Sequence, residues 1–341
     1  MTKKFDFKDI TLVPEILSSI SSRSEIDIYT DEGRLPLIVS PMDTVIDTYN
    51  SGMFRQLGFE VCYPRNIDPY YLGFKSISLD EFEIIAEFKM TISTKILVDI
   101  ANGHMEKLYT LCEKFLENNH GHNIMIGNIA NPKTYEKFAQ LGVGYIRVGI
   151  GGGSGCLTSA NTGVHYPMAS LIKECYDIKK QWDYRTKIVA DGGFKNYDDI
   201  IKALALGADY VMLGGALNKT LESCSDTLLF GKFKLSKERA YKVWNKFPFM
   251  RKYLYKEFRG MSTKAVQRKW GKLKLTTSEG VHRMNKVEYT LEGWTENFKD
   301  YLKSAMSYTN SKNLKSFKES EFVFITENAL NRYNKWKRFI F

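Results

Sequence analysis

Short apolar, β-branched runs recur along the first two thirds of the chain, each followed by a stretch with helical spacing, a pattern that predicts parallel strands joined by crossover helices. The runs are LPLIVSPM (35–42), FEVCYPR (59–65), FKSIS (74–78), KILVDIA (95–101), NIMIGNI (123–129), YIRVGI (145–150), KIVADGG (187–193) and YVMLGG (210–215). Eight strand-helix units fit a closed (β/α)₈ barrel of the TIM type, although the third run is short and polar. Several runs end in residues that a core strand does not need: Asp43, Arg65, Asp99 with Asn102, Asn128, the Gly149–Cys156 segment, Asp191 and Gly214. Chemistry in such barrels sits at the C-terminal strand ends, so these positions are expected to converge on one mouth. Beyond residue 215 the pattern loosens into a basic, aromatic stretch, a helix-like segment near 291–308 and an apolar FVFIT run at 322–326. No Pro/Gly/Ser-rich linker interrupts it. The expectation is one catalytic domain over 1–341, with active-site loops and a C-terminal extension inside 216–341.

Composition narrows the class without choosing a function. The 341 residues, 43% hydrophobic, can bury a large core. No run of 18 apolar residues occurs and MTKKFDFKDI lacks the apolar stretch of a signal peptide, so the expectation is a cytoplasmic protein with no membrane partner. The five cysteines, Cys62, Cys112, Cys156, Cys175 and Cys224, are odd in number and lack CxxC spacing, which argues against a disulfide framework and a structural zinc. The five histidines show no metal-ligand spacing either. Formal net charge is +10, with cations and anions interleaved along most of the chain. That reads as a basic surface attracting small anions, with no dedicated nucleic-acid site. The densest basic region, 231–274, carries several aromatics, including Trp244 and Trp270, and keeps the opposite reading open.

The residues 148–158, Val-Gly-Ile-Gly-Gly-Gly-Ser-Gly-Cys-Leu-Thr, place five glycines around Ser154 and Cys156 directly after a strand. Glycine lets backbone amides approach a phosphate or a monovalent cation, and Ser154 can donate to phosphate. An isolated cysteine is usually a buried apolar residue. In so flexible a loop Cys156 reads instead as a nucleophile, activated once amides or charge lower its pKa. Asp191-Gly-Gly193 and Leu213-Gly-Gly215 end the last two runs, where barrels bind phosphate; the plainer reading makes them tight strand-to-helix turns. Glu279 follows the Gly260-Met-Ser262 turn by 17 residues and is a candidate general acid or base facing Thr158. Taken alone, a loop glutamate is most often a solvated charge.

These residues resemble the inosine monophosphate dehydrogenase and GMP reductase superfamily. FDFKDITLVPE, SPMDTV (40–45), VDIANGH (98–104), IGNI (126–129), VGIGGGSGCLT (148–158), TGVHYP (162–167), DGGF (191–194), ALGADYVMLGG (205–215), FRGMS (258–262) and SEG (278–280) stand in the family's order over residues 5–280. Only about 30 residues separate CYPRN from VDIANG, too few for the regulatory insert of the dehydrogenases, and 16 residues between Ser262 and Glu279 leave no room for their long flap. Ala101-Asn102 and Gly214-Gly215 also look like the reductase branch.

The resemblance to that branch implies NADPH-dependent reductive deamination of GMP, or a related guanine nucleotide, to IMP and ammonia through a covalent thioimidate on Cys156. It implies proton transfer to the leaving amine by Thr158 and Glu279, with Arg65 also at the catalytic centre. Ser154, Gly193, Gly214 and Gly215 are implied as phosphate contacts, Asp191 as the ribose ligand, and Met261, Ser262 and Gly280 as base contacts. Asp99, with Ser76 and Ser78, falls on the cofactor side. Carbonyls of Gly151, Gly153 and Cys156 match a potassium site, and the family's habit implies a homotetramer. Three positions depart from the family. Pro64-Arg65 replaces a His-Lys pair, and a guanidinium cannot exchange a proton near neutral pH. Lys75-Ser-Ile-Ser78 replaces a glycine-rich stretch, and Thr276 replaces an arginine. Two other readings stay open: an insert-free IMP dehydrogenase making XMP with NAD, and a catalytically silent nucleotide-binding barrel.

Overall fold

The computed structural model describes residues 3–65, 67, 73–153, 157–261, 263, 268 and 280–337. Eight parallel strands, Leu37–Val39, Glu60–Tyr63, Phe74–Ile77, Ile96–Asp99, Ile124–Ile129, Tyr145–Val148, Lys187–Asp191 and Tyr210–Leu213, close into a barrel. They are numbered first to eighth below. Closure is made by Leu37, Ile38 and Val39 pairing with Val211, Met212 and Leu213. Every apolar run became a strand, including the short third one, which pairs Cys62 with Phe74 and Lys75 with Ile96.

Alternation along each strand assigns the two faces. Tyr145 points into the barrel with Ile38, Cys62, Phe74, Leu97 and Val189, while Ile146 and Val148 join the core beneath the helices. The N-terminal end of the barrel is closed by polar contacts: Tyr145 Oη donates to Glu32 at 2.8 Å, and Lys95 reaches Glu32 at 3.1 Å and Glu60 at 3.3 Å. The helix Pro132–Leu141 shows how local sequence sets the outer layer. Asn131 accepts from the Lys133 amide at 2.9 Å, Pro132 occupies the first turn, Tyr135, Phe138 and Ala139 form the buried stripe, and Gly142 at φ 88° ends it. Such a cap contributes about 1 kcal/mol.

The tail is packed on this frame. The helix Leu291–Tyr308 buries Leu291, Trp294, Phe298, Leu302 and Met306, a stripe at helical spacing that enters the same core as the barrel's outer face. The strand Phe322–Phe324 pairs antiparallel with Ile10–Leu12. No described helix is long and apolar enough to cross a membrane.

One part differs from expectation. The stretch read as loosened pattern contains an antiparallel sheet in the order Phe233–Leu235, Thr227–Leu229, Leu254–Arg259, His282–Lys286. The helix Lys237–Lys246 adds Ala240 and Trp244 to a small separate core with Leu221, Leu254 and Val287. The signal was disguised because Leu254, Lys256 and Phe258 are the buried positions of their strand, so a lysine occupies a core site and breaks the apolar alternation.

Candidate active site

Continuing the inward face of the strands by two residues leads from apolar core to charge. Leu97 is followed by Asp99, Tyr145 by Arg147 and Val189 by Asp191, so three charged side chains meet at the C-terminal end of the barrel interior. Arg147 Nη1 lies 2.7 Å from Asp99 Oδ1, and its Nη2 lies 2.8 Å from Asp191 Oδ2. Arg147 is 6% exposed; burial opposes its charge, but Asp191 and Asp99 outweigh it and hold the guanidinium firmly protonated. Asn128 Nδ2 donates to Asp191 Oδ2 at 2.8 Å and to the Gly149 carbonyl at 2.9 Å. Arg65, in the turn after the second strand, donates to the Asp99 carbonyl and places Nε 3.8 Å from Asp99 Oδ2.

The loop after the sixth strand lies directly on the turn after the seventh. A Cβ on Gly149 would stand 2.4 Å from the Asp191 carbonyl oxygen, one on Gly192 would stand 2.9 Å from the Gly153 amide nitrogen, and one on Gly193 would meet the Gly152 oxygen at 3.2 Å. Glycine is therefore required for two backbones to touch, and Gly149, Gly192 and Gly193 all take positive φ, at 130°, 102° and 89°. Thr158 opens the short helix Thr158–Thr162, and Ser159 Oγ donates to the Gly151 carbonyl at 2.9 Å. Gly214 and Gly215 begin the short helix Gly215–Asn218 at the end of the eighth strand.

The accessory sheet is tied to the same mouth. Arg259 Nη2 meets Asp43 Oδ2 at 2.8 Å, and Asn218 Nδ2 donates to the carbonyls of Thr44 at 2.8 Å and Glu257 at 2.9 Å. The Gly260 amide donates to the Val281 carbonyl at 2.9 Å, which brings Met261 and Gly280 onto adjacent chain segments. Ser154, Cys156, Ser262, Thr276 and Glu279 lie outside the described residues.

The serines expected on the cofactor side lie in and just after the third strand. Ser76 is fully buried within the third strand. Ser78 caps the helix Leu79–Glu87, its Oγ accepting from the Glu81 amide at 3.2 Å. Sequence reasoning missed Arg147, whose signal was a cation at an inward position of YIRV. It also missed His104, whose Nε2 accepts from the Ala130 amide at 2.9 Å and fastens the loop after the fourth strand to the fifth. The four described cysteines are unsuited to nucleophilic work. Burial pushes the thiols of Cys62, Cys112 and Cys175 far up and that of Cys224 up to about 12. A cleft of about 820 Å³, lined by Tyr29, Lys187, Asp209, Tyr210 and Lys318, opens at the opposite, N-terminal end of the seventh and eighth strands and so lies away from this chemistry.

Fold and mouth together define a (β/α)₈ barrel with a charged site at its C-terminal strand ends. A family model described as the IMP dehydrogenase / GMP reductase domain matches residues 77–334. The chain is 27% identical to the GMP reductase of Onchocerca volvulus, over 97% of this chain and 93% of that protein. It is 28% identical to GMP reductase 2 of Homo sapiens, over 95% of each, and 29% identical to the GMP reductase of Aeromonas salmonicida, over 97% of this chain and 98% of that one. The chain belongs to the IMP dehydrogenase / GMP reductase family.

Proposed function

We propose that this protein is an oxidoreductase that converts GMP, or a closely related guanine nucleotide, to IMP and ammonia, with Cys156 as nucleophile. Beside the family membership, the observation that carries the reading is the backbone contact of 149–153 on Gly192–Gly193 next to Asp191. This contact delivers the chain leading to Cys156 to the turn where a nucleotide's ribose and phosphate would be held. The raised thiols of the other four cysteines support the same choice.

In this mechanism the Cys156 thiolate adds to C2 of the purine, the bond from C2 to the exocyclic nitrogen breaks, and the amine leaves with a proton supplied through Thr158 and Glu279. Asp191 takes the ribose hydroxyls, amides of Gly193, Gly214 and Gly215 with Ser154 take the phosphate, and Met261, Ser262 and Gly280 flank the base. Asp99 and Arg65, with side chains 15% and 19% exposed, offer an acceptor and a donor that suit the carboxamide of a nicotinamide cofactor. NADPH bound there would supply the hydride that C2 requires, and departure of the Cys156 thiolate, breaking the C2–S bond, would release IMP. With Ser76 buried and Ser78 capping a helix, Asp99 is the residue we assign to the cofactor side. The carbonyls of Gly151, Gly153 and Cys156 are proposed for potassium; Gly151 already accepts from Ser159 and has one lone pair left.

Absorbance at 340 nm, with purified protein, GMP and NADPH, tests the reading against a Cys156→Ser control. Oxidation of NADPH that needs both GMP and Cys156 is the expected result. Silence there with NADH production from IMP and NAD would assign the chain to the dehydrogenase reaction, and silence in both would overturn GMP as the substrate and point to a different nucleotide or a binding role.

A further inference from the structure

Residues 230–253 contain eight cations, Lys232, Lys234, Lys237, Arg239, Lys242, Lys246, Arg251 and Lys252, against the single acid Glu238, a net +7 beside +10 for the whole chain. All but Arg251 are exposed. Elsewhere on the surface several lysines meet carboxylates, as Lys107 meets Glu83 at 2.7 Å, Lys114 meets Glu87 at 2.6 Å and Lys180 meets Glu319 at 2.7 Å. Among the described residues, Lys234 is the one cation of this ridge that meets a carboxylate, Asp226 at 2.8 Å. Three others lie over rings instead: Lys237 over Tyr49, Arg251 over Trp244 and Lys252 over Tyr253, at 5.4, 4.8 and 5.0 Å from the centroids.

The same ridge exposes phenyl rings. Phe230, Phe233, Phe247 and Phe249 are 48%, 64%, 41% and 67% exposed, while Leu235, Val243 and Met250 are partly buried. Phe230 stands 4.9 Å from Tyr253, and Phe247 stands edge-on to Phe249 at 6.2 Å. Lysines along an exposed sheet edge can serve only to prevent strand pairing, and Phe233–Leu235 is such an edge. That explains the charge but leaves four solvated rings unexplained. An uncompensated row of cations interleaved with open aromatic faces is the chemistry that binds a phosphodiester backbone while its bases stack. A membrane-surface helix would turn its apolar face outward, whereas the helix Lys237–Lys246 turns Ala240 and Trp244 into the accessory core.

We propose that the ridge formed by residues 230–253 binds single-stranded nucleic acid, separately from the mononucleotide site in the barrel mouth. Duplex nucleic acid, whose bases are already stacked, is bound less tightly.

Fluorescence anisotropy of the full chain with a labelled 20-nucleotide oligouridine tests this, beside oligothymidine, a duplex of equal length and vesicles containing phosphatidylserine. The expected result is binding to the single strands that survives excess GMP and weakens with salt, with a log-log slope of about −0.7 per neutralised phosphate. Lys232→Glu/Lys242→Glu/Lys246→Glu/Lys252→Glu should abolish it. Phe233→Leu/Phe249→Leu keeps apolar bulk but removes the stacking faces, and should cost at least about fivefold per ring. Circular dichroism melting confirms that the variants are folded. Preference for oligouridine or oligothymidine tells RNA from DNA. Equal affinity for duplex and single strand with no loss in the phenylalanine variant, binding to vesicles alone, or no binding at all would overturn the proposal.

Discussion

Arg147 Nη2 lies 2.8 Å from Asp191 Oδ2 across the inside of the barrel, with Nε of the same guanidinium 3.2 Å from the same oxygen. The other end of the fork holds Asp99 at 2.7 Å. One buried cation thus sets the positions of the two carboxylates assigned to ribose and cofactor. Removing one partner of a buried ion pair leaves uncompensated charge and typically costs about 3–5 kcal/mol. Arg147→Met should therefore lower stability by roughly that amount in urea unfolding. Arg147→Lys keeps the charge but cannot span both carboxylates, so it should recover much of the stability while KM for GMP stays raised. Unchanged stability in Arg147→Met would show that the two aspartates do not depend on it.

How much of this was legible in the sequence follows from where each signal is stored. The eight barrel strands were readable because strands buried on both faces are continuous apolar runs, and even FKSIS kept Phe74 inward and Ile77 outward. Asp99 and Asp191 stood out because they end such runs. Arg147 did not, because one residue beyond it the run continues, and its role depends on which face it occupies and on two distant strands. The accessory sheet was hidden for a related reason. Lys256 occupies a core position there and is satisfied by the carbonyls of Ser223 and Ser225, at 2.8 and 2.9 Å, a compensation no local pattern encodes.

Gly149 offers a test of the loop contact. An alanine Cβ there meets the Met168 methyl, which can swing away, and the Asp191 carbonyl, which cannot, both at 2.4 Å, with φ at 130°. Gly163→Ala is the control, since its φ is 72° but nothing lies within 4 Å. Both substitutions carry backbone strain of about 1–3 kcal/mol. Only Gly149→Ala should also push the loop off the seventh strand, so its kcat should fall well beyond what its melting temperature indicates. Equal activity in the two variants would mean that the loop contact is not needed for turnover.

Lys256 is 2% exposed, and burial pushes its ammonium down to about 8. In the unfolded chain a lysine titrates near 10.4. Between these values the unfolded chain keeps a proton that the folded chain has shed, so stability rises with pH across that window. Compared with Lys256→Met, in which other titrations cancel, the wild-type protein should gain on the order of 3 kcal/mol between pH 8 and about 10.5. Urea unfolding of both proteins at several pH values measures it. A pH-independent difference would mean that Lys256 titrates as a free lysine does.

Asp209 ties the tail to the bottom of the barrel. Its carboxylate accepts from Lys179 Nζ and Lys318 Nζ, each at 2.6 Å, and from the Ile188 amide at 2.7 Å. Burial opposes its ionisation, yet Lys318 and Lys179 outweigh that and hold the carboxyl well below the usual range. A depressed carboxyl contributes stability that is complete above its unfolded value of about 3.9 and is lost as pH falls below it. Asp209→Asn should remove that acid-side loss and, at neutral pH, cost roughly 3 kcal/mol, because the side chains of Lys179 and Lys318, 16% and 15% exposed, lose their counter-charge together. Lys318→Met should cost less, since Asp209 keeps Lys179 and the Ile188 amide. The reverse order of the two variants in urea unfolding would mean that Lys318, and not Asp209, is the residue on which the tail's attachment turns.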